Sequence, residues 1–232
     1  MKNISRLGSE TDAAPCEGPT PLRIVYVGAG GPIMARSFKV ICSALAELRA
    51  QGHPLVELVR IELFGTYYGW QPGDRKHLEE VAGEAGLNDL VAENPERVSY
   101  RRSIELLLQS RGALILGVDD GGYMPSKLFS YALSGRPLLM SLHRASPAYA
   151  LSRRLPELGH VLWFDAGGEM PCADAAKVVA AFLEEMFTLQ SIDRLTAVSP
   201  FLAPAMTRRH AELFEACLNS DVSRGAVGRL GK

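Results

Sequence analysis

The chain has 232 residues, 47% of them hydrophobic, and carries 25 Lys and Arg against 26 Asp and Glu, for a formal net charge of -1. That is enough apolar chain for one sizeable core, and the balanced charge lacks the basic stripe that a nucleic-acid partner requires. Cys16, Cys42, Cys172 and Cys217 are widely spaced, with no CxxC pair and no His at metal-ligand spacing, and read as reduced thiols. No stretch is apolar enough for a signal peptide or a membrane span, so the expectation is a cytoplasmic protein, with peripheral membrane contact left open.

Residues 1–20 mix Ser, Thr, Pro, Gly and charge without periodicity, which predicts a disordered leader. The folded domain is expected over 21–218 and a flexible tail over 219–232. LRIVYVG (22–28) is a β-branched apolar run closed by Gly, as a buried parallel strand should be. SFKVICSALAELRAQG (37–52) places Phe38, Ile41, Leu45 and Leu48 at helical spacing and stops at Gly52. A second strand, LVRIELFG (58–65), precedes a helical HLEEVAGEAG (77–86). VSY (98–100) leads into the helix SIELLLQS (103–110), for which Ser103 is a candidate cap, and ALILGV (113–118) is another buried strand. SKLFSYALSG (126–135) reads as a short helix capped by Ser126, followed by the strand RPLLMSL (136–142). The helix 146–155, the strand 160–164 and the helix 173–187 continue the alternation, and TRRHAELFEACL ends it.

Strand and helix alternate with near-continuous apolar strands, which predicts an α/β fold: a single doubly wound parallel-sheet Rossmann-like domain. Ligands of such sheets gather beyond the carboxyl ends of the strands. The first loop there is GAGG (28–31), whose glycines let backbone N–H groups approach a phosphate. As a dinucleotide signal it is weak, because a third Gly is missing and Gly65 and Thr66 stand where the second strand should end in an acid. No P-loop and no G-x-S-x-G elbow is present, and His53, His77, His143, His160 and His210 are scattered singly. The informative stretch is GVDDGGYMPSKLFSYALSGRPLLM (117–140), which combines a strand end, a Gly-rich acidic loop and a Lys in the first turn of a helix. Lys127 beside free helix N–H groups suits a diphosphate. Arg36 and Lys39 are expected on an exposed helix face, with phosphate contact as the alternative, and Asp119 and Asp120 read equally as a solvated turn or as partners of a bound hydroxyl.

The run MPSKLFSYALSGRPLL resembles the P-x-K-x-x-E-Y-x-x-x-G-R-P stretch of retaining, family-4-like GT-B glycosyltransferases, and LRIVYVGAGG is similar to the opening of their C-terminal domain. IELFG, RVSYRRSIELLLQSRGALIL and TRRHAELFEACL fall in the matching order, so the resemblance covers roughly 21–218. It implies one half of a GT-B fold that binds a nucleoside-diphosphate sugar and is incomplete without a second, acceptor-binding domain. By matched position it implies Gly28, Gly30 and Gly31 near the distal phosphate, Val98 and Ser99 at the base, and Gly121, Gly122 and Tyr123 beside the sugar. Lys127 would face the diphosphate and Ser130 the ribose. The chain departs from the family where Ser130 replaces a ribose-gripping Glu and Gly122 replaces a second Glu near the sugar. The first change weakens ribose binding by about a few kcal/mol at most. No cofactor is implied beyond the donor, and the implied partners are the nucleotide-sugar and an acceptor-binding chain or a second copy. Two other readings stay open: a degenerate, non-catalytic interaction module of the same fold, and a NAD- or flavin-binding protein.

Overall fold

The structure, a computed structural model, describes residues 21–67, 74–188 and 191–227. The expected leader at 1–20 lies outside the described residues. Strands β1 (Leu22–Val27), β2 (Val59–Phe64), β3 (Val91–Asn94), β4 (Gly112–Leu116), β5 (Leu138–His143), β6 (His160–Asp165) and β7 (Gly168–Glu169) form one seven-stranded sheet ordered β3-β2-β1-β4-β5-β6-β7. Neighbouring strands are parallel except β7, which returns antiparallel against β6. The doubly wound expectation is met, and the order in which strands are added to the sheet reverses between β1 and β4, which run parallel.

Side chains alternate across this sheet. Ile24 and Tyr26 of β1 and Leu114 and Leu116 of β4 enter the core beneath α1 (Pro32–Ala50), α2 (His77–Glu84) and α6 (Cys172–Thr188). Ala113 and Ile115 of β4, with Leu138, Met140 and Leu142 of β5, face α4 (Leu128–Leu133) and α5 (Pro147–Arg154) on the other side. Val25 and Val27 pack with Leu106 of α3 (Tyr100–Gln109). Burial on both faces explains why the strands read as continuous apolar runs. Phe38, Ile41 and Leu45, the expected core stripe of α1, are at most 1% exposed.

Several boundaries differ from the sequence reading. Helix α1 starts five residues earlier than expected, at Pro32, where the ring's missing N–H costs nothing. Ser99, not Ser103, caps α3: its hydroxyl accepts from the Arg102 N–H at 3.2 Å. Ser126 caps nothing, since α4 has only six residues and its N-cap position is Lys127. Strand β3 was not expected at all: it is four residues long and carries Glu93 in the place of an apolar residue.

After α6 the chain runs through a short helix, α7 (Leu195–Val198), into α8 (Ala203–Val227). The expected tail falls on the end of α8 and on residues outside the described range. No helix among the described residues is long and apolar enough to cross a membrane.

Candidate functional site

A cavity of about 460 Å³ opens at the carboxyl ends of β1 and β2, on the side of the sheet covered by α3 and α4. Its volume suits a small-molecule site, and its place beside the β1/β4 reversal is where open α/β sheets bind ligands. One wall is the β1 end itself, Val27 to Ala29, with Gly65 and Tyr67 from the loop after β2. The opposite wall is α3 and the loop before it: Arg97, Val98, Tyr100, Ser103, Ile104 and Leu107. Ser126, Lys127, Ser130 and Tyr131 complete it from the approach to α4 and its first turn.

The floor follows from a local problem in the sheet. Strand β1 pairs with β2 as far as Val27, but with β4 only at Ile24 and Val25. Beyond Val25 the two strands separate, and the Val27 amide faces the gap. Tyr131 takes the place of a neighbouring strand there. Its hydroxyl accepts from the Val27 N–H at 2.9 Å and donates to the Val27 carbonyl at 3.1 Å. Lys127 Nζ donates to the same carbonyl at 2.6 Å and lies 4.4 Å from the centre of the Tyr26 ring. The bland reading of Lys127 is therefore an anchor for the end of β1. Its ammonium has three donors, however, and Val27 uses one.

Glycine at position 28 has a specific cause. A Cβ there would lie 1.5 Å from Lys127 Nζ, and the backbone φ of +143° already disfavours a side chain. Gly28 thus admits Lys127 to the strand end. At Gly30 a Cβ would meet Thr66 Cβ at 2.8 Å, so the loop needs glycine to lie against the end of β2. The N–H groups of Gly28 and Gly30 donate to the Phe64 and Thr66 carbonyls, both at 2.8 Å. Those of Ala29 and Gly31 have no backbone carbonyl partner among the described residues.

Burial pushes the Lys127 ammonium down from its ordinary 10.5 to about 8. The same low-dielectric surroundings push the Tyr131 hydroxyl up to about 12, and Tyr26 is raised further, so both stay neutral beside it. An ammonium held in apolar surroundings and aimed at a cleft binds an anion more strongly than one in water.

The sequence-expected site residues separate into two groups. Gly28, Val98, Lys127 and Ser130 line the cavity. Ser99 lies beside it as the α3 cap, while Gly30 packs on Thr66 and Leu78 and Gly31 precedes α1; none of the three is in the wall. Gly121, Gly122 and Tyr123 stand on the loop after β4, outside this wall. Gly121 packs against His143 and Ala145, and Tyr123 against the α1 core. The side chain of Asp120 is engaged in that loop, and that of Asp119 reaches across to α1. Asp119 pairs with Arg36 at 2.8 Å, and Asp120 accepts from the Gly122 N–H at 2.8 Å. Arg36 also reaches Glu169 at 3.5 Å and stacks over Phe164 at 5.4 Å, so it ties α1 to the β6–β7 hairpin rather than lying on a free helix face. Arg97, Tyr100, Ser103, Ile104 and Leu107 were not named individually as site residues, although they fall in the stretch 97–116 that the family resemblance sets beside the base. Apart from that resemblance, their only sequence signal is the apolar spacing of Ile104 and Leu107, which is the ordinary signature of a helix facing the core.

No family model and no curated protein matches the chain. Solved structures do. A GtfA/B complex aligns at a TM-score of 0.53 and 12% identity, over 87% of this chain and 37% of that one. An α,α-trehalose-phosphate synthase (UDP-forming) from Burkholderia vietnamiensis aligns at a TM-score of 0.51 and 12% identity, over 86% of this chain and 45% of that one. The chain folds as one Rossmann-like half of a GT-B fold. It spans less than half the length of either structure, and at such identity the likeness concerns the fold alone. Among the described residues no group of three or more His, Cys, Asp or Glu is placed to hold a metal ion.

Proposed function

We propose that this chain is the donor-binding, C-terminal-type half of a retaining, family-4-like GT-B glycosyltransferase, taking a nucleoside-diphosphate sugar into the cavity beside β1. The observation that carries the reading is Lys127: a half-buried ammonium at the floor of a cleft at the sheet's reversal point, with Arg97 in the facing wall. The Lys127 ammonium and the Ala29 N–H, which has no backbone carbonyl partner among the described residues, suit a diphosphate, and the apolar side of α3, Ile104 and Leu107, suits the face of a base. Chemistry in this reading is mainly electrostatic. The departing diphosphate carries the developing negative charge, and a preorganised ammonium stabilises it without forming a covalent bond. The acceptor would be held by a second domain or a partner chain.

Isothermal calorimetry with UDP, GDP and ADP tests the proposal, with NAD as the contrast. Binding of at least one diphosphate is expected, and Lys127→Ala should weaken it about tenfold or more, the loss of one charge-assisted contact. Unchanged affinity in that variant would remove Lys127 from the site. A second reading, a non-catalytic module of the same fold, draws on the engagement of Asp119 with Arg36 and on Ser130 at the expected ribose position. Silence toward every nucleotide would favour it.

A further inference from the structure

Tyr131 and Lys127 stand one helical turn apart, the Tyr131 N–H donating to the Lys127 carbonyl at 2.9 Å, and both side chains reach the same residue at the end of β1. Val27 is buried and lies two positions beyond Val25, where β4 stops pairing with β1, so its N–H and carbonyl on that side need partners that β4 does not supply. The Tyr131 hydroxyl meets both needs, accepting from the N–H at 2.9 Å and donating to the carbonyl at 3.1 Å, and it thereby fixes the direction in which that carbonyl points. The same oxygen accepts from Lys127 Nζ at 2.6 Å. A peptide oxygen has two lone pairs and takes hydroxyl and ammonium together, which leaves the ammonium two N–H bonds for the cavity that Lys127 lines. Gly28 completes the arrangement, because a Cβ there would lie 1.5 Å from Nζ and expel it from this station.

We propose that Tyr131 is a positioning residue for anion binding: its hydroxyl holds the Val27 carbonyl in the direction that aims the Lys127 ammonium into the cavity. The proposal rests on the diphosphate site proposed above and names the residue that makes its cation effective. An ammonium already held in place spares the ligand the cost of ordering a long, flexible side chain. Tyr131 also lines the cavity, with Arg97 in the facing wall, and pH separates an effect exerted through Lys127 from a contact of its own. Between pH 7 and 9.5 the Tyr26 and Tyr131 hydroxyls beside the ammonium, both raised by burial, stay neutral, while Lys127, lowered to about 8, loses its charge.

Calorimetry of the full chain with UDP, GDP and ADP at pH 7 and 9.5 compares the parent with Tyr131→Phe, and urea denaturation establishes that the variant is folded. At pH 7 the variant is expected to bind whichever diphosphate the parent binds about fivefold more weakly, the cost of ordering one long side chain. At pH 9.5, where the ammonium is lost, the two proteins should agree within about twofold. An equal loss at both pH values, or no loss at pH 7, overturns the inference and leaves the site standing. Gly28→Ala displaces Nζ from the same carbonyl while keeping the Tyr131 hydroxyl, and the same pattern is expected of it. Full affinity at pH 7 in that variant overturns the inference whether or not Tyr131→Phe folds. Absence of binding by every diphosphate in the parent overturns the site and the inference with it.

Discussion

At the scale of single residues, Lys127 sets the site's behaviour. It serves two ends, donating to the Val27 carbonyl and facing the cavity, and its burial fixes the pH at which the second is possible. With the free ammonium lowered to about 8, a bound diphosphate favours the charged form and raises that value again. Diphosphate affinity is therefore expected to fall as pH rises through about 8, and binding near that pH should take up a proton. Calorimetry in buffers of different ionisation enthalpy measures the uptake. A flat affinity from pH 7 to 9.5 would contradict the assignment. Stability runs the other way. Because the folded value lies below the ordinary 10.5, the buried charge opposes folding below about 8, and the cost is relieved as pH rises from about 8 toward 10.5. Tyr26 and Tyr131, both shifted upward by burial, stay neutral in the fold but ionise near the ordinary 10.0 once unfolded, which lowers stability at the top of this window, so the Lys127 gain is read in its lower part.

At the scale of elements, the short edge strand β3 owes its place to Glu93. This carboxylate is 3% exposed and accepts from the N–H groups of Leu78 at 2.9 Å and Glu79 at 3.0 Å, in the first turn of α2, and from the Thr66 hydroxyl. Glu79 reciprocates by accepting from the Glu93 N–H at 3.0 Å. An anion at a helix N-terminus satisfies donors that α2, with Lys76 at its N-cap and no side-chain cap, otherwise leaves open. Glu93→Ala is expected to cost about 2–4 kcal/mol, since buried donors lose a charged acceptor. Urea denaturation measures this, and a midpoint within error of the parent would show that α2 is capped by something else. The consequence reaches the site, because Thr66, held by Glu93, is the residue on which Gly30 lies. An acid inside a strand works against the alternation on which strand recognition depends, which is why VAEN is not legible as β3.

At the scale of the whole molecule, the sheet and its two covering layers form one unit, and α8 stands apart from it. Apart from Ala205 and Met206, its residues from 203 to 219 are exposed, including Leu213 at 58%, Phe214 at 65% and Leu218 at 67%. Helix α8 packs mainly on the turn at Ser199–Phe201. Phe214→Ser should consequently change the unfolding free energy of the isolated chain by less than about 0.5 kcal/mol, the range for surface substitutions. A loss of several kcal/mol in thermal or urea unfolding would mean that Phe214 is covered in solution.

What the sequence determined by itself is the alternation of the main strands and helices, though not β3, the parallel sheet, the glycine that closes β1 and the candidacy of Lys127. These depend on local periodicity and turn chemistry, which lie within a few residues of each other. The tertiary structure alone decided how those residues are used. Lys127 and Val27 are 100 positions apart, and Tyr131 and Val27 are 104. Arg36 meets Asp119 across 83 positions, and Thr66 meets Glu93 across 27. No local pattern encodes such pairings, because they exist only once the sheet order has brought strand ends together. The α3 wall of the cavity is hidden for a related reason: an apolar stripe on a helix reads the same whether it seals a core or lines a cleft, and only the splaying of β1 from β4 makes the space that turns one into the other.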